Sequence, residues 1–457
     1  MNFKKLAANA SKLLVAVATV MIAVPAFAEG YQVNSQSARQ TGMGHTGTAL
    51  KLGAESMLFN PAGMAFMDSK FDISFGITAI KSKVEMNTAP QSQNNVKSVT
   101  DNPLSTPLFG YIGYKPCKNL AVGVSITNPA GNGIKWPANW AGATFIQEIS
   151  LKVFSVQPTV SYKFGDVVSL GAGLMIDFGS FSLNKALLPV GAFDAVGQLM
   201  PQLAPAIGSF AGQNPANLLL DGKSKVSIGY NLGVMVNVSK KITLGASYRS
   251  KVNLSVEGGD AKVAYANDYA KTVITALSAQ QQALKMFSVL DGAKFDASLP
   301  IPYILSFGAA YKPTEKWTLT ADYQISGWSA YKSLDIVFDE TTGGYTSSSV
   351  KNYKNSWALR IGAQWDATKF ASFRIGGYVD TPPVQMDNYS PETPSATAGC
   401  FTFGATLRPA KFLSIDLALA YLSGAKTNGT ITEGTSIFGG VYQKSAIMPS
   451  FGVRFQL

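Results

Sequence analysis

Residues of the types that do catalysis are few in this chain. It has one histidine, His45, and two cysteines, Cys117 and Cys400. A lone imidazole provides no cluster for zinc, and no serine sits in a nucleophile elbow. His45 reads as a polar packing residue rather than a general base. The two cysteines could pair in an oxidising compartment, though nothing in the sequence requires it. What the sequence offers instead is apolar residues at regular spacing. Phe193, Val196, Leu199, Leu203, Ile207 and Phe210 recur at helical intervals, interrupted by Pro201 and Pro205, which predicts short helices. Between Asp268 and Leu290, Val273, Leu277, Leu284, Phe287 and Leu290 make a second amphipathic helix. Such faces on exposed loops either pack on the rim of the fold or capture an apolar ligand. The second alternative makes Phe193, Val196, Leu199, Leu203, Leu277, Leu284 and Phe287 the lining of an outward-facing groove.

The elements that carry these loops are strands. In "VSIGYNLGVMVNV" every even position from Val226 to Val238 is apolar, and the odd ones are mainly Ser, Gly and Asn. The same alternation returns in "VSLGAGLMIDF" from Val168, "WTLTADYQI" from Trp317 and "LSIDLALAY" from Leu413. A soluble sandwich and a membrane barrel both give this pattern. The N-terminus separates them. Lys4, Lys5 and Lys12 precede an apolar run from Leu13 to Val24 that ends in "AFA". This is a secretory signal peptide over 1–28, with cleavage expected after Ala28. Only 14% of residues are charged, 11% are aromatic, and 43 are glycine. No later stretch is apolar for long enough to span a bilayer as a helix. An exported chain of this composition points to an outer-membrane β-barrel. The formal charge of +11 then speaks for anionic headgroups or an anionic solute rather than nucleic acid.

Fourteen strand segments start near residues 70, 104, 119, 146, 166, 224, 241, 299, 315, 351, 370, 399, 412 and 445. Short turns such as "KPCKN" (115–119) and "RPAKF" (408–412) alternate with long loops, roughly 85–103, 128–145, 186–223, 251–298, 329–350, 381–398 and 424–444. Short turns on one side and long loops on the other fit a fourteen-stranded antiparallel transmembrane barrel over 70–457, with short helices in its extracellular loops. The greasy face of each strand is expected towards lipid, the polar face towards the lumen. Such a lumen is too wide for wall side chains to fill. The glycine-rich segment 29–69 is the right size to fold inside as a plug. In it, "NPAG" reads as a turn, with Pro61 fixing one backbone angle and Gly63 permitting a positive one.

At these residues the chain resembles a known family. "EGYQVNSQSARQTGMGHTGTAL" and "LFNPAGMAFM" look like the N-terminal hatch of FadL-type long-chain fatty-acid and hydrocarbon transporters. The resemblance continues through "WAGATFIQEISLKVFSVQPTVSYKF" (140–164), "LPIPYILSFGAAYKPTEKWTLTADYQISGW" (299–328) and "YKNSWALRIGAQW" (353–365). It implies that Asn60, Pro61 and Ala62, with Gly63 beside them, form the tip of the hatch. Tyr31 matches an aromatic near the bound ligand. Lys185 falls where the family can place a cation for a carboxylate. The second expected cation aligns at Ser349, with Lys351 close by. "SITNPAGNG" matches a third strand kinked inward, so that Asn128, Pro129, Gly131 and Gly133 would border a lateral opening. Pro129 supports this independently, since it cannot donate to a strand ladder, although the strand could equally end at Thr127.

The function implied is passive uptake of long-chain fatty acids, by a monomer in contact with outer-membrane lipid, with no cofactor and no metal. The alternative is uptake of neutral hydrophobic compounds such as monoaromatic hydrocarbons. A structural or adhesive barrel is the third class, and the plug and kink speak against it. Barrel lipases need a Ser/His pair, which gives no support to an enzyme.

Overall fold

A computed structural model describes residues 30–88, 96–278, 282–433 and 436–457. The signal-peptide segment 1–28 lies outside them. Fourteen strands run antiparallel to their neighbours: β1 (Phe71–Thr78, then Lys81–Thr88), β2 (Leu108–Cys117), β3 (Leu120–Thr127, then Gly131–Lys135), β4 (Glu148–Phe164) and β5 (Val168–Leu188). There follow β6 (Ala216–Lys223, then Ser227–Asn237), β7 (Ile242–Arg249, then Val252–Tyr265), β8 (Lys294–Ile301, then Ile304–Thr314) and β9 (Trp317–Ser326, then Ser333–Phe338). The last are β10 (Thr346–Val350, then Ser356–Asp366), β11 (Ala371–Asp380), β12 (Ala398–Ala410), β13 (Leu413–Gly424, then Thr427–Glu433) and β14 (Ser436–Gln456). β14 pairs with β1 from Asp72↔Gln456 to Thr78↔Ser450, which closes the barrel.

The period-two pattern builds two different walls. Near the short turns, residues such as Phe75, Ile112, Leu174, Phe307 and Ile375 point outward and are exposed to the surroundings. Asp72, Ser74, Gln157, Asp322 and Asp416, at the same level of the wall, point inward and are buried. Towards the long-loop end the sides exchange. Leu183, Leu218, Leu254, Phe295, Leu334 and Ile336 now face inward. The outer face there carries charges, including the pairs Lys294–Asp260 and Lys225–Glu257. Charges outside and grease inside mark wall that stands in water, beyond the lipid. The expectation of a polar lumen therefore holds only for the lower half; the upper half encloses an apolar chamber.

This also corrects two loops. The segments 329–350 and 424–444 are largely strand, because "SLDIVF" (Ser333–Phe338) alternates as the membrane segments do, with its apolar side turned inward. The first helical stretch follows its prolines: α-helices span Asp194–Leu199 and Ala204–Gly208, with a 3-10 turn at Pro201–Leu203. The second stretch is two helices, Asp268–Ser278 and Gln282–Leu290.

Residues from Tyr31 to Met67 are mostly buried among the inward-facing side chains of the lower half. The Gly47 and Thr48 amides donate to Asp322 of β9 (2.7 and 2.9 Å). The Gly44 amide donates to Thr402 of β12, and the Ala65 amide to Ser161 of β4. Glu55 accepts from Ser74 of β1. Contacts on widely separated strands fasten one segment to much of the circumference.

Candidate functional site: a wall window and a paired cation

The first feature is a break in the wall between β2 and β3. Their ladder ends at Gly110↔Ile126. It resumes as a pairing of Asp101 and Asn102 with Lys135. Between these points stand Pro103 to Pro107 on one side and Asn128 to Gly133 on the other. Thr127 still opposes Ser155 of β4, but Gly131 opposes Lys152. Four residues against three is a bulge, and it turns β3 away from β2. Prolines at 103, 107 and 129 have no N–H to lose.

The freed backbone finds partners inside. Val33 N–H donates to the Pro129 carbonyl (3.1 Å) and Gly131 N–H to the Tyr31 carbonyl (2.9 Å). Asn128 fastens the lower sill: its Oδ1 accepts from Leu108 N–H and its Nδ2 donates to the Val153 carbonyl. A cavity of about 670 Å³ occupies the break. Its lining runs from exposed Leu104 and Leu108 to buried Met448 and Tyr378 in the lumen. The residues expected at a lateral opening, Asn128, Pro129, Gly131 and Gly133, are thus brought together. Pro103 and Pro107 complete the frame; a Pro pair flanking a strand start was the signal available for them.

The second feature lies in the apolar chamber. Leu183 and Lys185 of β5, Leu218 of β6, Ile336 and Phe338 of β9, and Lys351 just after the first part of β10 share one pocket. The sequence placed Lys185 and Lys351 far apart; the barrel brings them to the same site. Lys351 is 1% exposed and ion-paired to Glu392. Its Nζ also donates to Ser390 and Ser349 (both 3.0 Å). Glu392 belongs to the connection between β11 and β12, where Ser390 to Ala396 are all buried. This connection reaches the window strand as well: Asn132 donates to the Glu392 carbonyl and Trp136 to the Pro391 carbonyl.

Tyr31 joins the two features. Its carbonyl serves the window, its hydroxyl donates to the Pro300 carbonyl (2.5 Å), and its ring meets Trp328 edge-on at 4.7 Å. Tyr331 and Tyr353 extend this aromatic cluster, and the Tyr353 hydroxyl contacts Thr393 beside Glu392.

The seven groove residues are distributed differently from the expectation. Phe193, Leu284 and Phe287 are buried in the chamber's roof, while Val196, Leu203 and Leu277 are partly covered against it. Leu199 is 82% exposed. The helices touch one another, with Asn267 donating to Ser209 across the two loops, so their apolar faces turn inward rather than outward. At the tip of the inner segment, Asn60 caps the 3-10 turn Pro61–Phe66 through Ala62 N–H, and its Nδ2 reaches the carbonyls of Thr48 and Val234 of β6 (2.7 and 3.0 Å). "NPAG" is therefore a capped helical turn. Gly63 has no positive φ; it is small because a Cβ there would lie 2.8 Å from the Ser56 hydroxyl.

Residues 19–456 match the family model described as "Outer membrane protein transport protein (OMPP1/FadL/TodX)". The chain belongs to this family. The match places the barrel in the outer membrane. Among relatives, a "Long-chain fatty acid transport protein" of Shigella flexneri is 22% identical over 445 residues, covering 93% of this chain and 94% of its own. A FadL homologue from Pseudomonas aeruginosa superposes with a TM-score of 0.77 at 19% identity, covering 94% of this chain and 100% of that one. The toluene transporter TodX of P. putida superposes with a TM-score of 0.67 at 17% identity, covering 94% and 99%. In this FadL/TodX-family barrel the β2–β3 ladder is interrupted between Gly110↔Ile126 and the Asp101–Lys135 pairing, and the cavity lies in that interruption.

Proposed function

We propose that the chain takes up long-chain fatty acids passively across the outer membrane, with export directed by the signal peptide 1–28. The observation that carries this reading is the cavity through the wall, which connects the lumen with the lipid-facing surface at Leu104 and Leu108. Unpaired backbone facing lipid is costly, so a break persists only where other groups satisfy it or where it lines a cavity. Here the inner segment supplies the bonds. The apolar lining of the upper half matches an alkyl tail in chemistry, and Lys185 and Lys351 offer the cations a carboxylate needs. Segment 29–69 acts as a hatch that blocks the straight path to the periplasm, leaving the window as the exit. The relatives' printed names agree with this cargo. The barrel works as a monomer in this reading.

One observation favours the second reading, neutral hydrophobic compounds: Lys351 is already neutralised by Glu392. Labelled oleate and labelled toluene, offered to cells with and without the protein, separate the two. Uptake of oleate alone supports the first; uptake of toluene alone replaces it with the second; transport of neither removes both.

A further inference from the structure

We infer that Glu392 sets the preference between charged and neutral cargo by competing with the ligand for Lys351. This deepens the uptake reading and rests on it. Lys351 has its three donors committed, to Glu392, Ser390 and Ser349, at a site sealed from solvent. Burying an ammonium without a counter-ion is strongly unfavourable, so Lys351 needs a carboxylate of the chain whenever no ligand supplies one. Glu392 supplies it from a connection folded into the chamber. A carboxylate arriving through the apolar lining beside Phe338 and Leu218 finds that anion in the position it would take. It must push Glu392 aside or lie next to a second negative charge. A neutral head group meets neither obstacle. The internal carboxylate thus lowers affinity for acids and leaves affinity for alcohols and hydrocarbons unchanged.

The test is the ratio of affinities of the purified full-length protein for dodecanoate and dodecanol. Glu392→Gln keeps size and hydrogen bonding but removes the charge. It should tighten dodecanoate binding by about tenfold or more, the scale of one charge-assisted contact, and leave dodecanol within about twofold. Heat-modifiable migration on gels reports whether the barrel is folded. Should Glu392→Gln not fold, Glu392→Asp, which withdraws the charge by one methylene, carries the same test with a smaller shift of the same sign. Weaker or unchanged dodecanoate binding in a folded variant, or an equal shift for both ligands, overturns the inference while leaving uptake intact. If the native protein binds neither ligand, the uptake reading fails, and the inference with it.

Discussion

Lys185 is the cation of the chamber that a single substitution tests best, because Lys351 is needed to balance Glu392. Lys185 lines the same pocket from β5. A contact between charges is worth about 1.5–3 kcal/mol, so Lys185→Ala should weaken oleate binding by roughly ten- to a hundredfold. Toluene binding should barely change. Equal oleate affinity in the variant would make Lys185 a rim residue with no share in the site. His45 carries a second prediction. Its ring is buried in the hatch, edge-on to Tyr378 at 5.3 Å, and burial, aided by the Arg360 charge, pushes it down to about 3. The unfolded chain binds a proton here below about pH 6.5, and the folded one does so only near pH 3. Stability is therefore unaffected above pH 6.5 and falls as pH drops from there towards 3, by up to about 1.4 kcal/mol per unit. His45 has φ 58°, which Asn tolerates, so His45→Asn should keep the backbone and lose this slope. Melting followed by gel migration at pH 7 and at pH 4 should show the variant gaining on the native protein at the lower value; parallel losses would place the titration elsewhere. At this scale the sequence named Lys185, Lys351 and Asn60 only through resemblance. Glu392 was invisible, since "SPETPSATAG" has no period that says it folds inward.

Elements were the most legible level. Alternation over ten or more residues predicts a strand whichever side is greasy, and all fourteen expected starts lie within about ten residues of the start of a strand that the barrel contains. What alternation does not tell is which side faces in. Leu334, Ile336 and Phe338 look like lipid-facing residues, yet they point into the chamber because their strand stands above the membrane. The helical faces misled for the same reason: a large apolar stripe fits a groove or a roof equally well, and only the tertiary contacts decide. The window was half legible, through Pro129 and its glycines. An added Cβ at Gly131 would have its nearest neighbours at 3.4 and 3.5 Å, and at Gly133 at 3.5 Å, which are ordinary contacts. The barrel should therefore assemble with larger residues there. Leu at both positions fills the break. Uptake of labelled fatty acid by cells should fall at least tenfold, while the purified double variant still binds ligand. Loss of binding as well would indicate misfolding, and retention of transport would send the ligand out by another route.

For the molecule as a whole, the question is how much of the hatch has to move. Its body is held from several sides: Asp322 binds two amides, Glu55 joins Ser37 to Ser74, and buried Asp72 links the Ala54 amide to Arg454 (2.8 Å). Wall glycines let it approach closely; a Cβ at Gly233 would lie 2.0 Å from Asn60 Oδ1. Removing this body would break buried charged contacts, each worth on the order of 1.5–3 kcal/mol. Among its described residues, Gly30 and Gln32 to Ser35 line the window cavity. A shift of this short segment would free the Pro129 carbonyl and the Gly131 amide and enlarge the opening. The hatch body should therefore stay in place during uptake. A staple can decide this. A Cβ built on Gly452 of β14 lies 3.4 Å from the Ala38 Cβ, close to disulfide geometry. With exposed Cys117 replaced by Ser, Ala38→Cys with Gly452→Cys should oxidise and pin the body to the wall. Cells carrying the oxidised protein should keep more than about half of their oleate uptake, and reduction should change it little. Uptake that collapses on oxidation and returns on reduction would show that the whole hatch moves, and the short segment beside the window would then be only one part of a larger gate.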